Sequence, residues 1–300
     1  MKGDVYVMSI YFVILHYQNL DDTVNCIKSI KQLKVPSDTT YNIILIDNCS
    51  PNKSGIKLKD LYVDDNQIDV ILLDKNYGFS KANNIGYKLA KERNANVIMV
   101  LNNDIIFEDE NFLTIFANSI NNSKSHIIVP DVINFNDFHQ NPMKEHEYTL
   151  QSAIKNYFYK LIMHFLLLIP FFNKYVYNYN CEKENKFFDA YYRKKRNNDG
   201  YFVPIGAFLI YTNKWIKEEN ISFPSNSFMY CEEDFLIHYI KSKKYIISYN
   251  EKLKVRHLEG RSTNTISINR YKLLSKKFKY QAKALCKYIV FIIKEKIWRI

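Results

Sequence analysis

Short apolar runs that end in polar clusters recur through the first hundred residues. Val5 to Leu15 is rich in Val, Ile, Tyr and Phe and stops at His16-Tyr17-Gln18-Asn19. Asn42 to Ile46 stops at Asp47-Asn48-Cys49-Ser50, Asp69 to Leu73 at Asp74-Lys75-Asn76-Tyr77-Gly78, and Val97 to Leu101 at Asn102-Asn103-Asp104. The last of these, five residues long, is too short for a typical helix and suits a strand buried on both faces, and the Val, Ile, Tyr and Phe content of the first also reads as a buried strand. Between them the apolar period lengthens. Val24, Ile27, Ile30 and Leu33 recur at helical spacing, with Asp21 or Asp22 as the expected N-cap and Pro36 closing the unit. Helices are also predicted over Ser54 to Val63 and Lys81 to Glu92, the second with Ala82, Ile85, Leu89 and Ala90 toward a sheet and Gly86 packed close against a strand. Strand, polar turn, helix, strand is the rhythm of a parallel α/β sheet. Ligands of such sheets bind beyond the carboxyl ends of the strands, so the four polar clusters are expected along one edge.

Beyond residue 110 the pattern is less regular. Ser125 to Val132 reads as a strand, and 134 to 148 as a loop without period. Val203 to Tyr211 is sheet-like, with Gly206-Ala207 as its smallest point. Phe228 to Cys231 leads into Glu232-Glu233-Asp234, followed by a predicted helix over Phe235 to Ile240. Final strands are predicted at Tyr245 to Tyr249 and Lys254 to Val255, ahead of His257-Leu258-Glu259-Gly260-Arg261-Ser262. Residues 150 to 196 form an aromatic and basic insertion of helical character. It carries the run Leu161 to Phe172, broken by Pro170, and the cluster Arg193, Lys194, Lys195, Arg196. Arg270 to Ile300 has a helical period with lysines at many exposed positions. The expected organisation is one α/β domain over 1–265, containing the 150–196 insertion, and a basic amphipathic helix over 266–300.

Composition narrows the class. Forty-two Lys and Arg against 31 Asp and Glu give a net charge of +11, which suits a polyanionic partner: nucleic acid, an anionic membrane face or phosphate-bearing substrates. No recognised nucleic-acid motif accompanies the charge. Five scattered cysteines without a C-x-x-C pair indicate neither a disulfide framework nor a structural zinc site and fit a reducing compartment. The first residues carry Asp4 and pass into strand-like sequence, so no secretory leader is expected. No apolar run reaches about 18 residues, so no spanning helix is expected. The insertion and the final helix instead read either as interfacial amphipathic elements facing anionic lipid or as an aromatic core insertion with a solvated basic helix.

The candidate chemistry is a constellation of oxygen and imidazole groups: Asp47, Asp104, the trio Glu232, Glu233 and Asp234, and His257. Asp104 with amide oxygens beside it offers hard ligands for magnesium or manganese carrying phosphates. The same Asn-Asn-Asp also reads as an ordinary turn, and the acidic trio as a solvated helix N-terminus favoured by the macrodipole. No glycine-rich fingerprint follows the first strand, and neither a Walker lysine motif nor a serine nucleophile elbow is present.

The ordered set VILHYQN, ILIDNCS, NYGFSKANNIG, VLNNDI, VPIGAFLI, YCEED and VRHLEGRS, spread over Tyr6 to Ser262, resembles an inverting family 2 glycosyltransferase of the bacterial rhamnosyltransferase-like kind. The resemblance implies a GT-A fold: a Rossmann-like, mixed but mostly parallel sheet flanked by helices. It implies that His16, Tyr17, Asn19, Asp47, Asn76, Gly78, Asn84 and Asn103 surround the nucleotide, and that Gly206 and Ala207 meet substrate. Asp104 matches the last position of the family's Asp-X-Asp-type motif, with Asn102 and Asn103 before it, and His257 resembles the late histidine near the metal; Mg2+ or Mn2+ is the implied cofactor. The catalytic base falls in the trio: Glu233 if Leu236 aligns with the family's leucine, Asp234 if the letters Glu-Asp are matched, with Glu233 preferred. Arg256 or Arg261 is a candidate for phosphate contact. The implied activity is transfer from a dTDP- or UDP-sugar to a hydroxyl of a lipid-linked or cell-surface glycan, at the inner face of a bacterial membrane. A non-catalytic module of the same fold and a metal-dependent nucleotidyltransferase are the rival readings.

Overall fold

The computed structural model describes residues 7–120, 123–192, 200–258 and 270–298. Its first half is built as the periodicity predicts. Strands β1 (Met8–His16), β2 (Thr39–Asp47), β3 (Ile68–Leu72) and β4 (Val97–Asn102) alternate with helices α1 (Leu20–Lys31), α2 (Ser54–Leu61) and α3 (Phe79–Glu92). The four strands are parallel in the order β3-β2-β1-β4. Register puts His16 beside Asp47, Leu15 beside Asn102 and Asp47 beside Leu72, so the strand ends are level. Alternate residues of β1 feed two apolar layers, Ile10, Phe12 and Ile14 on one face and Tyr11 and Val13 on the other. Both faces being covered explains why these runs lack polar alternation. Gly86 lies where a Cβ would come within 2.4 Å of Val13 Cγ1, the close approach of α3 that its sequence context predicts.

The chain continues through β5 (Ile105–Ile106), α4 (Phe112–Ile120), β6 (Ile127–Asn134), α5 (Leu150–Leu168), α6 (Pro170–Tyr192), β7 (Phe208–Tyr211), α7 (Asn213–Glu218), α8 (Glu232–Lys243), β8 (Ile247–His257) and α9 (Arg270–Trp298). The sheet runs β3-β2-β1-β4-β7-β6-β8-β5, with β7 antiparallel to both β4 and β6. It is the mixed, helix-flanked sheet that the resemblance implies.

Several details differ from the sequence-based expectations. The N-cap of α1 is Asn19 and not Asp21 or Asp22, its side chain accepting from the Asp22 N–H. Only Phe208–Tyr211 of the 203–211 stretch is a strand, because Val203 is drawn into a bridge with Lys144. The two final strands are one, β8, which follows β6 across an irregularity between Pro130 and Asp131. The two-residue β5 and helices α4 and α7 were not foreseen. Pro170 ends one helix and starts the next, as its missing N–H favours.

Helices α5 and α9 lie along one another. Leu167 packs with Leu274 and Phe278 at one end, and Ala153 with Leu285 and Tyr288 at the other. Helix α9 also grips α8, with the rings of Tyr288 and Phe291 each 5.0 Å from that of Phe235. Its Tyr280 stacks on Phe228, and Lys287 donates to the Asn226 carbonyl at 2.6 Å. The apolar stripe of the last helix is therefore a brace for the segment that carries the acidic trio. No helix among the described residues is long and apolar enough to cross a membrane.

Candidate active site

The level ends of β1, β2 and β4 hold a continuous polar network. His16 is fully buried, with Nδ1 2.6 Å from Thr23 Oγ1 and Nε2 2.7 Å from Ser54 Oγ. Burial holds its pKa down at about 4 against the pull of Asp47, so at neutral pH it is an uncharged strut tying β1 to the starts of α1 and α2. Asn103 donates to Thr23 Oγ1 at 2.8 Å and to the Asn19 carbonyl at 3.2 Å. Asp47 is buried at the N-terminus of α2, accepts from the Ser50 amide, and lies so near Gly55 that a Cβ there would overlap the carboxylate. The macrodipole favours a carboxylate in that position.

The next turn is locked to this edge. Buried Asn48 accepts from Tyr77 N at 2.8 Å and donates to Asn76 Oδ1 and to the Gly78 carbonyl. Gly78, at φ +79°, is so close to Phe228 that a Cβ would fall 2.2 Å from its carbonyl oxygen; only glycine allows both that backbone angle and that approach. Asn84 lies elsewhere than expected. Its amide is occupied by Ser222 and Phe223, fastening α3 to the 222–223 segment instead of presenting its polar atoms at the strand ends.

At the end of β4 the antiparallel pairing of β5 with β8 brings Ile105 opposite His257. His257 Nε2 consequently lies 3.3 Å from Asp104 Oδ1. The other ring nitrogen, Nδ1, is 2.8 Å from Gln140 Oε1, which makes Nδ1 the N–H and leaves a lone pair on Nε2. Asp104 Oδ1 is buried without a hydrogen-bond partner. In the neutral ring a carboxylate oxygen and an imidazole lone pair converge here, a donor set that fits a divalent cation. Among the described residues no third His, Cys, Asp or Glu joins them, so a cation held by this pair would take further ligands from water or phosphate oxygens. Arg256, by contrast, is held by Glu108 and Asp137, which removes it as a free phosphate contact. Arg261, with Gly260 and Ser262, lies outside the described residues, as does the 193–196 basic cluster.

The acidic trio forms the first turn of α8, yet it is not the solvated helix end that one reading expected. Asp234 is buried and bound by Lys144 Nζ at 2.7 and 2.8 Å and by the Tyr148 N–H at 3.0 Å. Burial disfavours the Lys144 ammonium, but Asp234 overrides this and raises its pKa. Glu232 is buried with Oε1 unpartnered, and burial and then Glu233 drive its pKa well above the ordinary value. Glu233 is partly exposed, accepts from the Gly206 N–H at 3.1 Å, and has its pKa raised by burial, then by Asp234. A Cβ on residue 206 would lie 2.7 Å from Glu233 Oε1, so glycine makes room for the carboxylate. Asn102 N donates to the Ala207 carbonyl at 2.9 Å, which sets the Gly206-Ala207 step, and hence Glu233, alongside Asn102 to Asp104.

The sequence profile of the family described as Glycosyl transferase family 2 matches residues 11–209. The chain belongs to that family. An uncharacterized glycosyltransferase, R363, of Acanthamoeba polyphaga mimivirus is 26% identical over 230 residues, covering 74% of this chain and 84% of its own. Among solved structures, S. aureus TarS 1-349 in complex with UDP-GlcNAc superimposes with a TM-score of 0.52 at 15% identity, over 91% of this chain and 66% of that one. The mannosyltransferase PcManGT of Pyrobaculum calidifontis, in complex with GDP-Man and Mn2+, gives 0.56 at 9% identity, over 96% and 65%. These likenesses are of fold. This glycosyltransferase spans 37% of another TarS structure.

Several residues of the site escape a reading of the glycosyltransferase sequence. Thr23, Asn48 and Ser54 hold the strand-end network, Gln140 sets the tautomer of His257, and Lys144 neutralises Asp234. Asn48 had a signal, since it follows Asp47 directly at a strand end; Gln140 and Lys144 lie in a loop without period and had none.

Proposed function

We propose that this glycosyltransferase moves a sugar, with inversion, from a nucleoside-diphosphate sugar to an acceptor hydroxyl, with Glu233 taking the proton. The observation that carries the reading is the fate of three adjacent acids: Asp234 is consumed by Lys144, Glu232 is enclosed, and Glu233 alone is both partly exposed and fixed beside the β4 edge. A raised pKa suits a general base, since a stronger base removes the hydroxyl proton more readily. The Gly206 N–H aims the carboxylate, and inversion follows from a base and a leaving group on opposite sides of the reacting carbon.

Asp47, Asn76 and Gly78 with the 16–19 turn form the edge that receives the nucleoside, and Asn103 and His16 stiffen it. Asp104 and His257 would hold the Mg2+ or Mn2+, which when bound neutralises charge growing on the leaving diphosphate. The UDP-GlcNAc held by TarS and the GDP-Man and Mn2+ held by PcManGT support a nucleotide-sugar donor and a divalent ion. A dTDP- or UDP-sugar donor, rhamnose among the candidates, and a lipid-linked or cell-surface glycan acceptor complete the reading.

A panel of UDP-, dTDP- and GDP-sugars with Mg2+ or Mn2+ tests it. Release of nucleoside diphosphate from one donor, lost on chelation, is expected. Glu233→Gln should lower transfer by about 10²- to 10⁴-fold while calorimetric nucleotide binding persists. Release of pyrophosphate, or undiminished turnover in the variant, would sink the proposal.

A further inference from the structure

Helix α5 is apolar on both sides, which is normal only for a helix enclosed all round. One side is enclosed: Ala153 and Leu167 pack on α9. The other side is not. Ile154, Phe158, Ile162, Phe165 and Ile169 recur at intervals of four, four, three and four, and all are exposed, Phe165 by 56%. At 3.6 residues per turn they fall within about a quarter of the circumference. Across the Pro170 junction the same character continues on α6 with Phe171, 85% exposed, Tyr175 and Tyr179. Isolated exposed apolar residues need no explanation, but a contiguous band of large ones marks an interaction surface.

Charge identifies the partner. From Tyr148 to Cys181 the chain has no Asp or Glu, whereas Lys155, Lys160 and Lys174 fall within it; Lys155 and Lys174 are exposed beside the apolar band. A second copy of the chain meeting this face about a two-fold axis would present the same surface, which has no acidic residue to meet the lysines. An anionic lipid surface supplies the opposite charge and an apolar layer below it. The helices cannot cross that layer, so they would lie on it.

We propose that the outer face of α5 and the start of α6 docks this enzyme on an anionic bilayer. The placement also serves catalysis, a point that rests on the function proposed above. Thr149 caps α5, and the preceding Tyr148 N–H binds Asp234, so the docking helix begins at the turn that presents Glu233. An acceptor hydroxyl on a lipid carrier arrives at the end of α5 nearest the base, and the search for it is confined to a plane.

Vesicle flotation tests the proposal, using phosphatidylcholine alone and mixed with phosphatidylglycerol. The intact protein should float with the mixed vesicles and detach as salt rises. Phe158→Ser combined with Phe165→Ser and Phe171→Ser should lower the bound fraction at least about tenfold, with UDP binding and donor hydrolysis unchanged. Lys155→Glu with Lys174→Glu, which leaves the apolar band intact, should abolish the preference for mixed vesicles. The inference falls if the unaltered protein ignores mixed vesicles, if both variants float as it does, or if sedimentation shows a dimer that the serine variant dissociates. Donor hydrolysis in the same preparations separates this outcome from failure of the glycosyltransferase reading: hydrolysis without flotation overturns the docking face alone.

Discussion

Glu232, Glu233 and Asp234 follow one another in a single helical turn, so each points about 100° away from the next. Three environments result, and that of Glu233 has a titration consequence. For Glu233, whose pKa burial and Asp234 raise, the protonated form cannot accept a proton, so kcat/KM should fall on the acid side at a pH above the ordinary carboxylate range. A pH profile with a saturating donor checks this, and the limb should vanish in Glu233→Gln. His16 works the other way. Its pKa is depressed from 6.5 to about 4, so between those values the unfolded chain binds a proton that the native state refuses. Stability is therefore full above pH 6.5 and declines as the pH falls toward 4, by on the order of 3 kcal/mol for a difference of that size. Urea denaturation at pH 7 and pH 5 should show the decline, and His16→Gln should flatten it.

Elements carry the next level of argument. The 134–148 loop has no period, yet it supplies Gln140 to His257 and Lys144 to Asp234. Lys144→Met leaves a buried carboxylate unpaired and should cost about 3–5 kcal/mol in urea unfolding. Adding Asp234→Leu should recover much of that, because the pair is removed together. This loop also shows where sequence reading stops. Strands β1 to β4 were legible because burial on both faces writes an unbroken apolar run and the functional edge writes the polar cluster after it; Asp47 and Asp104 could be singled out on that pattern. Helix α4 left a usable signal in Phe112, Leu113 and Phe116. Strand β5, two residues long, has no period to detect. The choice between Glu233 and Asp234 could be argued from alignment, but what separates them physically, Lys144 at one and Gly206 at the other, lies 90 and 27 residues away along the chain.

At the scale of the whole molecule the edge assigned to the nucleotide and the proposed base come from opposite halves of the chain. The strand-end network draws on residues 16 to 104, whereas Glu233 is held by Gly206, and the turn that carries it by Lys144 through Asp234 and by α9 through α8. Tyr288 is the main contact of that last kind: its ring packs on Phe235 and its hydroxyl donates to the Tyr148 carbonyl. Tyr288→Ala should destabilise the protein by about 3–5 kcal/mol and reduce transfer well beyond any loss in nucleotide affinity, which parallel kinetics and calorimetry would separate. The position of α9 after every strand also orders events during synthesis. As the chain leaves the ribosome, β1 to β4 and the edge they share can assemble early, but the turn bearing Glu233 has no brace until α9 has been made. Capture of a nucleotide by the nascent chain would thus precede competence to act on it.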